Sequence, residues 1–472
     1  MMRSLFAGVS GLKNHQTRMD VIGNNISNVN TVGFKKSRVT FQDMLNQTLR
    51  GASAATANRA GTNPMQVGLG MSLASIDVIH TGGSPQSTGK NTDLSIEGDG
   101  YFLLGDGNNI FYTRAGNFDF DVNNTFYHTS TGMIVKGYLA DATGNISADS
   151  PLSDINLAAQ ASSEPKASTV VNYGKNLDSR SVAVTGPPTV INDYAHSNGI
   201  DSIIDLKGVI TDVLIAGLTE GTDYKVDYSS GKIIISENVA DGNYDITYTK
   251  AHYQAPISVF DSKGETHLAT AIFTKTADNV WKVDTVLDGM MLSDGEGSLT
   301  FSPSDGRLVN STVTNFTATI PGADALNIAL NFDNITEYAG DFTIYASGQD
   351  GYESGDLTGI TVDTTGTITG SFSNGQSRKL AQIALATFAN PSGLMKVGNN
   401  MFQPSNNSGI ADIGLPGVSS RGIIKPETLE MSNVDLSEEF VDMIITQRGF
   451  QANSRVITTS DQILEELVNL RR

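Results

Sequence analysis

At 472 residues the chain exceeds what one core can organise, and 48 glycines with only 7% aromatic and 17% charged residues favour sheets and turns spread over two to four domains. A formal net charge of −19 excludes a polyanion such as nucleic acid as the main partner, and the lack of cysteine excludes disulfides, thiolate metal sites and cysteine nucleophiles together. No run approaches the roughly 20 apolar residues of a membrane span, and "SLFAGVSGL" is too short and broken for a secretory signal core.

The first element is helical. Leu5, Val9, Leu12, Met19 and Ile26 follow the 4,3 spacing of a heptad, with Gln16 in the missing position. The stripe is the width expected for packing against one or two other helices. It ends in Asn24, Asn25, Asn28 and Asn30, directly before Gly33 and Phe34. Asparagine amides bond nearby backbone groups and tolerate left-handed geometry, so these residues suit a helix end better than the glycan that Asn25-Ile26-Ser27 formally permits. Residues 45–70 are small, polar and almost without a period, which predicts an extended or poorly ordered arm within residues 31–91.

From residue 92 the texture turns to short alternating strands: "DLSIEGDGYFLL", "NIFYTRAGNFDFD" and "TFYHTSTGMIVKGYLA". They form the entry half (92–163) of an inner β domain whose other half, 376–430, follows much later through "LAQIALATFANPSGLMKV". Between them, 164–375 holds one or more outer β domains. Tyr224, Val226 and Tyr228 alternate, turn at Ser229-Ser230-Gly231 and return through Ile233 and Ile235, which marks a smaller β unit at about 185–252. A second hairpin crosses Asp261-Ser262-Lys263-Gly264 towards the sole tryptophan, Trp281.

The last 42 residues, 431–472, are helical again. Asp435 with Glu438 reads as a capping box. Leu436, Phe440, Met443 and Phe450 continue a seam that, after a register shift, includes Ile463, Leu467 and Leu470. Residues 1–50 carry a balance of +5 and residues 436–472 one of −2, so the two ends are complementary. Neither helix is stable alone, because a narrow seam gains energy only when covered. An antiparallel hairpin within the chain and pairing between subunits both satisfy it.

The chemistry-bearing patterns are near misses. "TGGSPQSTGKNT" spaces its glycines wrongly for a phosphate loop, and Asn124 and Ser130 stand where a calcium loop starting at Asp119 needs glycine and glutamate. His15, His80, His128, His196, His252 and His267 show no metal-ligand spacing. No catalytic, cofactor or metal residue is expected, and the chain reads as no enzyme.

The block "LFAGVSGLKNHQTRMDVIGNNISNVNTVGFK", then "NTDLSIEGDGYFLL" and "YTRAGNFDFD", and finally "SNVDLSEEFVDMIITQRGFQANSRVITTSDQILEELVNL" resemble the bacterial flagellar axial family of rod and hook proteins, the hook members most. The motifs cover about a third of the chain. The resemblance implies a multidomain, mainly β protein whose nested β domains are inserted between N- and C-terminal coiled-coil helices (1–30 with 431–472). It also implies a structural subunit that self-assembles as a helical homopolymer outside the cell, exported without a cleaved signal peptide. Its implied partners are the distal rod, the hook cap, the hook–filament junction proteins and the export apparatus. A distal-rod subunit is the alternative within the family, and an extracellular adhesin or carbohydrate-binding β protein, with Tyr224 to Tyr248 as its binding face, the alternative outside it. Some spirochaete hook proteins crosslink subunits through a cysteine-derived bond to lysine; without cysteine, Lys166 and Lys175 are expected to be solvated charges.

Overall fold

A computed structural model describes residues 2–55, 59–107, 109–141, 143–147, 150–197 and 201–469. The chain forms two compact units. The first joins Met1–Ala161, Leu357–Ser371 and Ser377–Arg472; the second comprises Ser162–Asp356 and Phe372–Gln376. The second unit thus begins at Ser162, and the short return 357–371, within the range expected for the outer insertion (164–375), belongs to the first unit.

Two long helices bracket the first unit. Helix α1 spans Met2–Ser27 and helix α2 spans Leu436–Asn469, about 50 Å at 1.5 Å per residue. Proline is absent from both, and Gly449 does not interrupt α2. Asp435 caps α2 alone: its Oδ1 accepts the N–H groups of Ser437 (2.8 Å) and Glu438 (3.3 Å). Glu438 does not complete the expected capping box. Its carboxylate takes the Lys36 ammonium at 2.7 Å instead, because a salt-bridge partner lies within reach.

Of the two states expected for 45–70, extended or poorly ordered, the described residues take the extended one. Strand Ser37–Asp43 pairs antiparallel with Met71–Val78, and Asn46–Arg50 pairs with Met65–Gly68, so a two-stranded ribbon extends from the helix end. Hydroxyls bridge it, Thr40 to Ser75 at 2.6 Å and Ser53 to Thr62 at 2.7 Å. A ribbon without a buried face requires no alternation of apolar and polar residues, which is why its sequence carries no period.

The body of the first unit is a sheet assembled from distant segments. Tyr101–Asp106 hairpins onto Asn109–Thr113, and Ile134–Leu139 pairs with Ser377–Ile383 in the register Gly137 to Ile383. Leu385–Thr387 pairs with Tyr101 and Phe102 in the same sheet, while Ile423–Pro426 with Leu94–Glu97 and Thr428–Glu430 with Pro85–Ser87 form two separate two-stranded ribbons. Tyr101, Leu103, Tyr112, Ala384, Phe388 and Phe402 share one core. The near-miss calcium loop is an Asx turn: Asp121 Oδ1 accepts the N–H groups of Asn123 and Thr125, with Asn124 at φ 56°.

The second unit is β throughout its described residues. A five-stranded antiparallel sheet runs from Tyr253 to Ser311, and a four-stranded sheet includes the parallel pair Val170–Asp178 and Leu326–Tyr338. Residues 189–250 form two three-stranded sheets. There Tyr224 pairs with Ile235 and Val226 with Ile233, and both pairs are core. Tyr224, Tyr228 and Tyr248 are buried, which removes the exposed aromatic face that an adhesin reading requires. Lys166 is ion-paired with Asp350 at 2.9 Å, and Lys175 lies 4.9 Å from the Tyr345 ring centre, so neither is merely solvated.

Candidate assembly site

Helices α1 and α2 pack antiparallel within the chain. Ser4 meets Ser460, Gly11 lies under Asn453, Gly449 under His15, Arg18 pairs with Asp442 at 2.9 Å, and Asn25 reaches Glu439 at 3.2 Å. Small and polar side chains make most of these contacts, with Ile457 against Gly8 as an apolar one. On α2 the buried positions Glu439, Thr446 and Ser460, with half-buried Asn453, fall on a seven-residue repeat. Glycines bring the helices close: a Cβ on Gly449 would sit 2.8 Å from the His15 ring, and one on Gly8 3.1 Å from Ile457.

The expected seam residues are not the ones that join α1 to α2 within the chain. Leu5, Leu12, Met19 and Ile26 are only half-buried and Val9 is exposed; on α2, Met443 and Phe450 are half-buried while Leu436, Phe440 and Ile463 are exposed. Leu467 lies in α2 with its side chain outside the described set, and Leu470 lies outside the described residues. Phe440 is 50% and Ile444 57% exposed, with Val441 and Ile445 beside them. At 100° per residue Phe440, Val441 and Ile444 fall across the helix from Glu439 and Thr446. The heptad on α2 that meets α1 is polar, and Phe440, Val441, Ile444 and Ile445 stay at least half exposed.

The asparagines resolve into different roles. Asn25 is buried: its amide donates to the Ser37 carbonyl (2.9 Å) and to Glu439, and its Oδ1 accepts the Ser37 N–H (3.0 Å). Asn28 donates to the Asn24 carbonyl and side chain, both at 2.9 Å, closing the last turn of α1, while Asn30 is exposed. Gly33 is at φ 68°, its N–H donates to the Glu430 carbonyl, and a Cβ there would lie 2.5 Å from the Ala115 nitrogen. Phe34 is buried beneath the Lys396 ammonium, 4.7 Å from its ring centre.

Sequence reasoning missed the strongest feature of this region. Directly after Phe34, Lys35 is buried with its ammonium 2.5 Å from Glu430, and buried Arg114 lies 3.4 Å from the other oxygen of the same carboxylate. Lys35 also donates to the Thr81 carbonyl, Arg114 to the Gly98 carbonyl, and the Gly83 N–H to Glu430. One carboxylate, on the approach to α2, thus holds two cations from two distant segments, the helix exit and the inner sheet. Burial pulls the Lys35 ammonium below its usual range, and Glu430 works against that shift. The residues appear in "GFKK" and "YTRAGNF", but no spacing rule links positions 35, 114 and 430.

Two histidines of this unit predict its acid response. His80, whose Nδ1 lies 2.7 Å from the Tyr101 hydroxyl, is pushed down to about 4 by burial and then by the charges of Lys35, Lys396 and Arg114; burial alone pushes His128 down to about 4. Folded pKa values below the unfolded value near 6.5 mean that the unfolded chain takes up protons first. Their contribution is therefore full above pH 6.5 and is lost as pH falls, by about 2 kcal/mol for each histidine between pH 6.5 and 5. Urea unfolding followed by far-UV circular dichroism at those two pH values should show the drop, and His128→Gln should remove about half of it.

Four flagellar families match this chain: "Flagella basal body rod protein" over residues 5–35, "Flagellar hook protein FlgE/F/G D1 domain" over 95–169, "Flagellar basal body protein FlaE D2 domain" over 236–352, and "Flagellar basal body rod FlgEFG protein C-terminal" over 425–470. The flagellar hook proteins FlgE of Borreliella burgdorferi and Treponema pallidum are each 38% identical to it, covering all of both chains. The flagellar basal-body rod protein FlgG of Bacillus subtilis is 30% identical, again over the full length of both. With the terminal helices, nested β units and full-length identity together, the chain belongs to the flagellar hook protein FlgE family.

Proposed function

We propose that this chain is the repeating subunit of a flagellar hook, polymerising helically into a short, curved, hollow tube outside the cell that transmits torque from the rod to the filament. The single observation that carries the reading is the outward-facing apolar surface of the terminal helices. Phe6, Val9, Phe440, Val441, Ile444 and Ile445 are all at least half exposed, although α1 and α2 already cover one another. An apolar stripe left open after intramolecular pairing needs a further partner, and in a helical polymer that partner is the next copy of the chain. The polar seam between α1 and α2 keeps each subunit's own helices together, and the apolar stripes bind neighbours. No helix among the described residues is long and apolar enough to cross a membrane.

The β units then form the outside. Their surfaces, rich in Asp, Ser, Thr and Asn, re-pair at small cost as protofilaments shorten and lengthen through a turn. The ends of the tube would meet the distal rod, the hook cap and the hook–filament junction proteins, and the subunits would reach the tip through the flagellar export apparatus. Electron microscopy of the full-length chain under assembling conditions, beside a version trimmed to residues 31–430, tests the reading. Curved hollow tubes from the intact chain alone are expected. Straight rods would assign the chain to the rod instead, and two monomeric samples would overturn polymerisation.

A further inference from the structure

We propose that Asp261, Glu265 and His267, in the second unit, form a binding site for a divalent transition-metal ion, with zinc as its probe. One hairpin builds it. Strand Tyr253–Phe260 ends at Asp261, the chain turns through Gly264 at φ 84°, and strand Thr266–Ala277 brings in His267 opposite Val259.

Each donor is prepared by its surroundings. Asp261 is 1% exposed, and its Oδ1 accepts the N–H groups of Lys263 and Glu265, both at 2.8 Å, which leaves Oδ2 outside the turn. His267 is 8% exposed, with Nδ1 2.6 Å from Asp288 Oδ2; Asp288 is itself fixed by the Leu268 N–H at 2.8 Å. A neutral imidazole that gives its Nδ1 proton to a carboxylate has only a lone pair at Nε2. That Nε2 is buried without a hydrogen-bond partner, 3.8 Å from Asp261 Oδ2 and beyond hydrogen-bond range. A Glu265 carboxylate oxygen completes the group, in which one ligand atom from each of the three residues lies within 4.8 Å of the other two.

Three electron-pair donors therefore face one point, and a cation resolves the arrangement. Two ligand atoms each about 2.1 Å from a tetrahedral zinc ion are about 3.4 Å apart, so the gap between Nε2 and Oδ2 needs to close by only a few tenths of an ångström. One nitrogen and two carboxylate oxygens suit zinc with a water in the fourth position, on the side where Glu265 is exposed. The Asp288–His267 bond is the carboxylate–imidazole pairing that orients metal-binding histidines. A second acidic group in this unit provides the contrast: Asp212, Asp284 and Glu296 surround the Lys282 ammonium at 2.7, 3.1 and 3.0 Å, so that centre already holds its cation. The absence of a helical His spacing hid the first site, because its ligands lie in a turn and at a strand start.

A proton competes for the same atom. Burial disfavours the charged ring, but the Asp288 hydrogen bond and the charges of Asp288, Asp261 and Glu265 together raise the His267 pKa. Calorimetric titration of the full-length chain with zinc chloride at pH 7.5 separates the two occupants, with Trp281 fluorescence following thermal unfolding of the same unit. We expect one zinc per chain and a higher unfolding temperature in its presence. Glu265→Gln, at an exposed position, should weaken binding at least tenfold with the fold intact, and His267→Gln should abolish it. Asp288→Asn, acting through His267, should weaken it about tenfold. No saturable uptake, or uptake unchanged by Glu265→Gln and His267→Gln, overturns the site and leaves an imidazolium clamped between Asp261 and Asp288.

Discussion

Glu430→Ala should destabilise the first unit by about 3–5 kcal/mol, the cost of removing one partner from a buried ion pair. The carboxylate is the sole anion within salt-bridge distance of Lys35 and Arg114 among the described residues, and both cations are at most 2% exposed. Its loss leaves two buried positive charges facing each other, together with the unpartnered Gly83 N–H. Lys35→Met makes the reasoning sharper. It removes one cation and leaves the Arg114–Glu430 pair at zero net charge, so it should cost clearly less than Glu430→Ala although both break the same 2.5 Å contact. Urea unfolding read by far-UV circular dichroism measures the loss. Trp281, the chain's only tryptophan, lies buried in the second unit and gives an internal control whose transition should stay in place. A Glu430→Ala shift below about 1 kcal/mol would mean that solvent reaches the cluster and that the buried cations are not what ties the three segments together.

What could be read from the sequence depended on whether a single local face was buried. Tyr224 and Val226 with Ile233 and Ile235 alternate because one side of their hairpin is core, and all four are at most 5% exposed. The helix ends were legible for the same local reason, since capping and amide bonding act within a turn. The ribbon at 46–68 had no such face, so its sequence left an extended and a poorly ordered segment equally open. The helix contact was missed in another way: counting apolar residues finds Leu436, Phe440 and Ile463, whereas the repeat that meets α1 is Glu439, Thr446, Asn453 and Ser460. A periodicity search that treats small and polar residues as silent cannot see it. Asn25 belongs to both cases. Its role as a satisfied amide followed from its type, but its partner Glu439 lies 414 positions away. The Lys35–Glu430–Arg114 cluster shares that difficulty, because three-dimensional convergence leaves no spacing to count, whereas Asp261, Glu265 and His267 lie on one hairpin at a spacing that no helical ligand motif covers.

The polar helix contact and the apolar stripe make separable demands, and a substitution can address one alone. Phe440→Glu with Ile444→Glu should leave the monomer folded and abolish its assembly. Both side chains are half exposed or more in the free chain, so each change should alter its stability by less than about 0.5 kcal/mol. A negative charge at residue 440, in the early turns of α2, is also favoured by the positive end of the helix dipole. Within a polymer the same positions would be covered by a neighbour. Covering the exposed half of two large apolar side chains contributes about 1.5–3 kcal/mol in total, and its loss raises the critical concentration by about 10 to 10²-fold before the added penalty for desolvating the new carboxylates. Circular dichroism should therefore match the unsubstituted monomer while sedimentation and electron microscopy find no tubes. Normal tubes from the double variant would move the subunit contacts away from this face of α2. Loss of helix signal in the monomer would mean that Phe440 and Ile444 hold the intramolecular pair after all, and that the polar heptad is not sufficient to join α1 to α2.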